Sequence, residues 1–529
     1  MRLKLLVTVF LFPTLVSAKD KGLDEKINEM FRPISDFFTD VVLFTINFSP
    51  DHKIPFIVIL LVVGATFFTF YFSFVNIKKI PLAIKIVRGK YDEADKQSVL
   101  EGVKEAKGLP VDGDLTGRGE YESSIGEVSH FQALATAVSG TVGLGNIAGV
   151  ALAIAIGGPG ATFWMIICGL LGMTTKFVEC TLGVKYRDIG KDGTVYGGPM
   201  YYLMKGFREK KKNRIGKTLA VIFAFLCIGA SFGGGNAAQS NQASLQLVNM
   251  LGLSDGNSGT IVGIIMAIVV GAVIIGGIKR IVSVTEKIVP FMAVIYVLAC
   301  LTIIFFNFSY IDDVIVLIFR GAFSSEATTG GFLGVLVTGF RRAAFSNEAG
   351  AGSSPIAHSA VKTNYAASEG LVALLEPFID TVVICTMTAF VIIMYNSNGV
   401  FEYGQEVIID GVPIEGSVLT SMAFESVIPW FPYVLTIAII FFAVSTMISW
   451  SYYGIQAWVF LFGRSKVSET IYKVIFLVFI VIGAASNMES VWGFSDAMIL
   501  GLVFPNMIGL LLLYPKVKEE LNRYLKRIA

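Results

Sequence analysis

Charged residues are scarce in this chain of 529 residues: only 16% are Asp, Glu, Lys or Arg, whereas 54% are hydrophobic. A soluble domain carries about 25% charged residues. Several apolar runs are also longer than the roughly 20 residues that a helix needs to cross the hydrocarbon core of a bilayer. The composition excludes an ordinary soluble domain and predicts an all-α, polytopic membrane protein.

Histidine and cysteine are also rare, which limits the chemistry available to the chain. The three histidines, His52, His130 and His358, are dispersed and predict no metal site. The five cysteines lie singly in apolar stretches and are expected to be free packing residues. The sequence contains no Ser/His/Asp or Cys/His arrangement and no basic tract with interleaved aromatic residues. Neither an enzyme nor a nucleic-acid-binding protein is indicated.

The N-terminus has the features of a secretory signal peptide at residues 1–18. Arg2 and Lys4 form a short basic start, an apolar run follows, and Ala18 ends a small-residue cleavage site. An uncleaved membrane anchor is the alternative. Cleavage would leave the amphipathic segment 19–52 outside the membrane.

A separate membrane-spanning helix is predicted at residues 53–76. Five Lys and Arg residues follow between positions 78 and 90, and basic residues mark the cytoplasmic end of a span. Residues 77–130 are therefore predicted to form a cytoplasmic loop, and the mature N-terminus is predicted to be external.

Ten further spans are predicted within residues 131–514, which brings the total to about eleven. Their approximate bounds are 131–156, 161–183, 217–250, 259–278, 287–307, 329–346, 367–395, 431–457, 470–487 and 492–514. The basic tail at 515–529 then lies in the cytoplasm by the same charge rule. The short, charged stretch 309–324 is predicted to be an external interfacial helix.

The stretch Ser139–Gly149, which reads SGTVGLGNIAG, interrupts the first of these ten spans with four glycines in ten residues. Each glycine inside a helix costs about 1 kcal/mol relative to alanine. Backbone groups freed in hydrocarbon must find partners, so a break at this depth is expected only where it faces protein, water or a ligand. The pattern is typical of a discontinuous transporter helix that carries its substrate site at the break.

Two simpler motifs also match this stretch. Gly145 and Gly149 fit the small-residue motif of close helix packing, but packing does not account for Thr141 and Asn146. Residues 143–148 fit G-x-G-x-x-A, the dinucleotide fingerprint, but that motif requires a preceding strand, a βαβ unit and a later acid, none of which is indicated.

Ten core spans with a broken first helix suggest two inverted repeats of five spans, with a second break in the sixth core span. That span, at 329–346, is rich in glycine: Gly330, Gly331, Gly334 and Gly339. The glycines make this span the expected place of the second break.

The first break is predicted to bind a small zwitterion. The N-terminus of one half-helix favours a carboxylate, and the C-terminus of the other favours an ammonium or a hard cation. Thr141, Gly143, Gly145 and Asn146 are the candidate substrate ligands at the break, through backbone and side-chain groups.

Two other spans are predicted to contribute substrate contacts. For Asn236 and Gln239 in the third core span, substrate contact and hydrogen bonding between helices both remain open. Trp450 in the eighth core span is predicted to form a wall of the pocket and to limit the size of the substrate side chain.

A Na⁺ site is predicted between the first and eighth core spans. Its candidate ligands are backbone carbonyls near Gly140 and Val142 together with the hydroxyls of Ser445 and Thr446. These hydroxyls could instead bond to their own helix, which is the structural alternative.

Ionisable residues within spans are functional hypotheses by default. The carboxylates Glu376 and Asp380 are spaced i, i+4 in the seventh core span, and Lys176 lies near Glu179 in the second. A proton-coupled carrier would use such a carboxylate. Ion pairing with the arginines of the sixth core span is the structural alternative; the candidates are Arg341 and Arg342.

Long motifs spread over residues 125–455 resemble those of the alanine/glycine:cation symporter family, the sodium:alanine symporters. They are FQAL at 131–134, TVGLGNIAGVA at 141–151, GGPGATFW at 157–164, GMTTKFVE at 172–179, YGGPMYY at 196–202, FSNEAGAGSSPIAHS at 345–359, EPFIDTVVICTMTA at 376–389 and STMISWSYYG at 445–454. Leu144 departs from the GTGN pattern expected of the family.

The resemblance implies a leucine-transporter-type fold of inverted five-helix repeats plus one extra helix. It also implies that the first, third, sixth and eighth core helices line the site. Members of the family move small neutral amino acids with Na⁺, and sometimes with H⁺.

The prediction is a secondary active symporter that imports alanine or glycine with Na⁺ by alternating access. A proton-coupled amino-acid carrier is the alternative, and a channel or sensor is a third class. Na⁺ as coupling ion is the only cofactor expected, and no obligate protein partner is indicated. The expected location is the cell inner (plasma) membrane, with a lipid bilayer around the spans and a cytoplasmic C-terminus.

Overall fold

Runs of apolar residues with few interruptions form helices along most of this chain. The computed structural model describes residues 22–49, 52–91, 126–190, 193–253, 256–323, 331–409, 411–414 and 416–529. The predicted signal peptide, 1–18, and most of the predicted loop, 77–130, lie outside the described residues.

The N-terminal part precedes the predicted core. It contains α1 (Leu23–Val42), the antiparallel hairpin β1 (Thr45–Ser49) and β2 (His52–Pro55), α2 (Phe56–Tyr71), α3 (Val75–Lys78) and α4 (Ile80–Val87). The helix α2 is the apolar segment predicted as a separate span, but it is only 16 residues long.

The first half of the core runs from residue 130 to residue 323. Its elements are α5 (His130–Thr141), a π-helical turn (Gly145–Gly149), α6 (Val150–Gly157), α7 (Gly160–Tyr186), β3 (Asp188–Ile189), β4 (Val195–Tyr196), α8 (Pro199–Glu209), α9 (Asn213–Phe232), a second π-helical turn (Gly233–Ala237), α10 (Ala238–Leu251), α11 (Ser258–Ile274), α12 (Gly277–Phe306) and α13 (Ile311–Phe323).

The second half of the core runs from residue 331 to residue 528 and is also mainly helical. Its elements are α14 (Gly331–Asn347), α15 (Ser354–His358), α16 (Ala366–Val372), α17 (Leu375–Pro377), a π-helical segment (Phe378–Cys385), α18 (Thr386–Tyr395), β5 (Ile408–Ile409), β6 (Val412–Pro413), α19 (Gly416–Glu425), α20 (Phe431–Phe462), α21 (Lys466–Ala485) and α22 (Met488–Ile528). Short 3₁₀ turns lie at Phe308–Tyr310 and Asn396–Asn398.

Among the described residues, seven helices are long and apolar enough to cross a membrane, and a bent pair, α5 with the segment Gly145–Gly157, raises the number to eight. The all-helical, multi-pass prediction is confirmed at this level. Three two-stranded hairpins are the exception to it. The five cysteines are free and buried, in agreement with their expected packing role.

The first core helix is broken where the glycine pattern predicted. The helix α5 ends at Thr141, and the segment Gly145–Gly157 continues at an angle of 51°. The break arises because Val142 adopts an extended conformation and the next turn is π-helical.

The second break lies after the described glycines of the predicted span 329–346, which are Gly331, Gly334 and Gly339. The helix α14 is continuous through Gly339, where a Cβ atom would come within 2.7 Å of the Ala161 carbonyl oxygen, so this glycine serves close packing against α7. The chain leaves the helix at Glu348, whose φ is 55°, and Gly350 and Gly352 are also left-handed. Left-handed residues end α-helices.

The helix α20 positions the site. It packs against α5, α9, α10 and α12, and its buried residues include Thr446, Trp450 and Tyr453. The contact with α5 is close: a Cβ atom at Gly140 would lie 2.9 Å from the Tyr453 hydroxyl oxygen.

A distant carboxylate caps α11, which has no side-chain cap of its own. Asp24 of α1 accepts hydrogen bonds from the backbone N–H groups of Gly259 and Thr260, each at 3.0 Å, and from the Thr260 hydroxyl at 2.6 Å. We expect Asp24→Ala to lower the unfolding free energy by about 1 kcal/mol, as loss of an N-cap does. Thermal melting in detergent measures the change. The exposed Asp40→Ala is the matched control, and equal melting of the two variants would contradict the prediction.

Candidate functional site

Amide side chains hold the first break in place. The backbone N–H of Gly143 donates to Asn146 Oδ1 at 2.9 Å, and the N–H of Leu144 donates to Gln239 Oε1 at 3.0 Å. Gln239 in turn donates to the Gly234 carbonyl at 2.8 Å. These two N–H groups lie outside the regular hydrogen bonding of the helix. Each is nevertheless hydrogen-bonded inside the protein, as buried backbone N–H groups must be.

The carboxylate of Asp380 joins the π-helical turn of the first core helix to its neighbours. It accepts from the Asn146 amide at 2.6 Å, from the Ser346 hydroxyl at 2.9 Å and from the Thr381 hydroxyl at 2.6 Å. These donors are all neutral, and no ion pair to Asp380 is found among the described residues. Asn146 thus uses its side chain to organise the break.

Trp450 connects the two breaks. Its indole N–H lies 3.2 Å from the Gly140 carbonyl oxygen at the first break and 3.2 Å from Glu348 Oε1 at the second. One turn before it, the Thr446 hydroxyl donates to the Ser139 carbonyl at 2.9 Å. The structure therefore brings Gly140, Thr446 and Trp450 together.

The glycines of the break differ in the space around them. A Cβ atom at Gly143 would lie 2.6 Å from Thr446 Oγ1 and 3.0 Å from Gln239 Oε1. At Gly145 the nearest atoms, from Phe345 and Ser346, would be 3.5 Å away, which is ordinary contact. Glycine is required at 143 for the close approach of α20 and α10.

The side chains of three predicted site residues are directed to backbone carbonyl groups of helices. The Thr141 hydroxyl lies 3.3 Å from the Ala137 carbonyl of its own helix, and the Ser445 hydroxyl donates to the Phe442 carbonyl at 3.0 Å. The Asn236 amide donates to the Phe476 carbonyl on α21 at 2.6 Å. These polar groups are thus paired with backbone carbonyls within the helix bundle. Val142 is buried, and its N–H closes the last turn of α5 on Val138.

An aromatic stack closes one side of the break. The Phe345 ring packs on Trp492 with their centroids 4.9 Å apart, and both lie beside the glycines of the π-helical turn. Beyond Trp492, a cavity of about 380 Å³ is lined by Ala151, Ala155, Glu406 and Glu489, among others.

The arginines of α14 pair with Asp496 of α22. Arg341 is 2.6 Å from Asp496 Oδ2, and Arg342 contacts the same oxygen. The structural alternative, in which these arginines pair with Glu376 or Asp380, is wrong, because both arginines contact Asp496 instead. The buried partner of Glu376 is Lys176, at 2.9 Å.

Two features of the site did not emerge from the sequence. Glu348 is buried at the second break, where it accepts hydrogen bonds from Trp450 and Ser353. Its position in the FSNEAGAG stretch, an acid in an apolar region, was the available signal. The histidines were expected to be dispersed, but His130 and His358 both contact the carboxylate of Glu369. The described residues contain no cluster of His, Cys, Asp and Glu that could hold a metal ion.

The difference between Gly143 and Gly145 gives a matched pair of variants. We expect Gly143→Ala to lower the unfolding free energy by about 1–3 kcal/mol, which is the usual cost of overpacking. Gly145→Ala should lower it by less than about 1 kcal/mol, because its methyl group would make only ordinary contact with Phe345 and Ser346. Thermal melting of the two purified variants in detergent is the measurement. An equal loss of stability in both variants would contradict this account of the break.

Comparisons with known proteins show which family the chain resembles. A family model described as "Sodium:alanine symporter family" matches residues 113–529. The chain is similar to the sodium/alanine symporter AgcS of Methanococcus maripaludis, with 36% identity over 471 residues, which cover 89% of this chain and 94% of that protein. It is also similar to the amino-acid carrier protein AlsT of Bacillus subtilis, with 34% identity over 412 residues, 77% of this chain and 83% of that protein.

Among solved structures, a manganese transporter of Eremococcus coleocola aligns over 75% of this chain and 80% of its own, with a TM-score of 0.48 and 12% identity. The family match covers most of the chain, including both helix breaks and α20. The chain therefore belongs to the sodium:alanine symporter family, a family of cation-coupled transporters.

Proposed function

We propose that this chain is a secondary active symporter that imports a small neutral amino acid, alanine or glycine, with Na⁺ by alternating access. The observation that carries the proposal is the meeting of the two helix breaks at Trp450, which bonds to a backbone carbonyl at one break and to a carboxylate at the other. Similarity to a sodium/alanine symporter supports alanine and Na⁺ as the pair.

The proposed architecture has ten core spans in two inverted repeats of five, with α2 as an extra helix and eleven spans in total. The spacing of the breaks supports it: the α5–α6 break lies in the first core span and the α14–α15 break lies in the sixth. Inverted repeats place a discontinuous helix at the same position of each half. The chain would lie in the cell inner membrane with its N-terminus external.

The amino acid would bind at the first break. The N–H groups at the start of the π-helical turn, near Gly145, would favour the carboxylate, because a helix N-terminus carries a partial positive charge. Carbonyls at the end of α5 and the Glu348 carboxylate would favour the ammonium group. Phe345 and Trp450 flank this space and would limit the substrate side chain to about the size of a methyl group.

The coupling ion would bind between α5 and α20. The Thr446 hydroxyl and the Ser139 carbonyl lie 2.9 Å apart, and together with carbonyls near Gly140 and Val142 they would supply oxygen ligands of the type that Na⁺ uses in such breaks. The Ser445 hydroxyl, which is directed to its own helix, would play a smaller part.

Proton coupling is the second candidate, and the environment of Asp380 is the observation that favours it. This carboxylate is buried, has neutral donors and contacts Asn146 at the break. Ionisable groups in such positions form proton pathways in carriers. Asp380 would then bind the coupling proton, and Na⁺ would not be required.

Alternating access would open the site on one side at a time. The Phe345–Trp492 stack and the pairing of Arg341 and Arg342 with Asp496 join α14 to α22. Separation of these contacts would connect the break to the cavity beyond Trp492. Na⁺ and amino acid become coupled if both favour the same state of the carrier.

Uptake of labelled alanine into proteoliposomes tests the proposed function. We expect accumulation with an inward Na⁺ gradient and none with a K⁺ gradient or a pH gradient alone, because the proposed ion site offers hydroxyl and carbonyl oxygen ligands and no carboxyl or imidazole group that could carry the coupling proton. Accumulation driven by the pH gradient alone would favour the Asp380 alternative. Equilibration without accumulation under every gradient would contradict a symporter and favour a channel.

The two neighbouring hydroxyls of α20 provide a test of the ion site. We expect Thr446→Ala to raise the Na⁺ concentration for half-maximal uptake by about tenfold, which corresponds to about 1.4 kcal/mol. Ser445→Ala is the matched control and should change it by less than about twofold, since its hydroxyl bonds to its own helix. The opposite order of effects would contradict the site.

A further inference from the structure

Five buried side chains, alternately basic and acidic, form a series of successive contacts inside the protein. His130 Nδ1 and His358 Nδ1 both contact the carboxylate of Glu369, the latter at 2.5 Å. His358 Nε2 lies 3.5 Å from Glu376 Oε2, and Glu376 Oε1 lies 2.9 Å from Lys176 Nζ. Four of these residues are fully buried, and His130 is 6% exposed. Buried charges persist when they are paired in this way.

The series of contacts continues to the second helix break. Ser354 contacts Lys176 and donates to Glu376 at 2.6 Å, and the adjacent Ser353 donates to Glu348. Glu348 in turn accepts from Trp450. A continuous chain of contacts therefore runs from the meeting point of the two breaks to His130, the first residue of α5.

His130 occupies the end of α5 that is farthest from the break. Several contacts hold this end. The Val128 N–H donates to the Ala360 carbonyl at 3.1 Å, and the Lys362 N–H donates to the Val128 carbonyl. The Gln132 side chain forms a capping box with Ser129 and donates to Glu286 of α12 at 2.9 Å. The contact from His130 to Glu369 joins two buried ionisable groups.

Basic groups lie on several sides of Glu369. Arg187 donates to the carbonyls of Ser359, Val361 and Thr363 in the turn that leads to α16. Burial lowers the pKa of Arg187 to about 10, and the carboxylate of Glu369 acts in the opposite direction. Arg187 therefore remains cationic at neutral pH. The groups that face Glu369 are His130 from α5, His358 from α15 and Arg187 from the end of α7.

We propose that His130 and Glu369 form an inner latch of the carrier. Their contact holds the inner half of the first broken helix, α5, against α16, and it separates when the carrier opens toward the cytoplasm. Separation exposes both groups to water, which replaces the lost partner, so a buried pair of this kind can be switched. Both are positioning residues, since neither contacts the break itself. The inference rests on the proposed transport function and on a cytoplasmic position of this end of α5.

Chemical labelling of α5 tests the latch. Ala133, one turn after His130, is 1% exposed, and Ala133→Cys places a reporter thiol there. The native cysteines among the described residues are buried, and the full-length parent without the reporter gives their background. In inside-out membrane vesicles, we expect His130→Ala to raise the rate of labelling by an impermeant maleimide about tenfold, because the closed state loses a buried partner.

Two further variants separate a latch from a general loosening. His130→Gln can still donate an N–H to Glu369 and should stay within about threefold of the parent rate. Glu286→Ala removes the neighbouring bond from Gln132 and leaves the capping box between Ser129 and Gln132 in place, so it is the matched control, with the same narrow limit. An unchanged rate in His130→Ala, or an equal rise in Glu286→Ala, would overturn the proposal. So would a rise confined to right-side-out vesicles.

Glu369→Gln covers the case in which His130→Ala does not yield a monodisperse protein. This substitution conserves shape and removes the negative charge, and we expect a rise of at least about threefold in the labelling rate. No rise in a folded Glu369→Gln variant would also reject the latch. The assay does not use the transported amino acid or a particular ion, so a wrong substrate assignment would leave its result unaffected.

Discussion

Polar backbone groups inside an apolar protein must be paired, and the rest of this structure depends on how that is done at the first helix break. The N–H groups of Gly143 and Leu144 lie outside the regular hydrogen bonding of the helix, and they donate to the side-chain amide oxygens of Asn146 and Gln239. In a hydrocarbon region, unpaired groups would cost several kcal/mol each. Two amides from different helices therefore hold the break in one geometry, and they do so without closing the space beside Gly145.

The same requirement organises the buried charges around the second break. Glu348 interrupts α14 with a left-handed backbone, and its carboxylate is satisfied by Trp450 and Ser353. Lys176 and Glu376 neutralise each other nearby. Removal of one member of such a pair would leave an uncompensated buried charge, so the break and its charged surroundings form one unit. Trp450 extends this unit to the first break, because its indole N–H lies within hydrogen-bond distance of both breaks.

Much of the helix pattern could be predicted because hydropathy and glycine spacing report on local structure. The break between Thr141 and Gly145 is an example, since four glycines crowded into an apolar span disfavour a continuous helix. The position of the second break within its span could not be predicted, because glycine also serves close packing: Gly339 lies against α7 inside a continuous helix. The left-handed residue that ends α14 is Glu348, and a glutamate in that conformation carries no signal in the sequence.

The sequence by itself determined that this is a multi-pass helical protein of the sodium:alanine symporter family, because apolar length and long motifs are local properties of the chain. Only the tertiary structure decided which side chains meet. Arg342 contacts Asp496, 154 positions later, and His130 contacts Glu369, 239 positions later. It also decided that the hydroxyl of Thr446 reaches α5 whereas that of Ser445 turns to its own helix. Contacts over such separations depend on how helices pack, and no local pattern encodes the rotation of one helix against another.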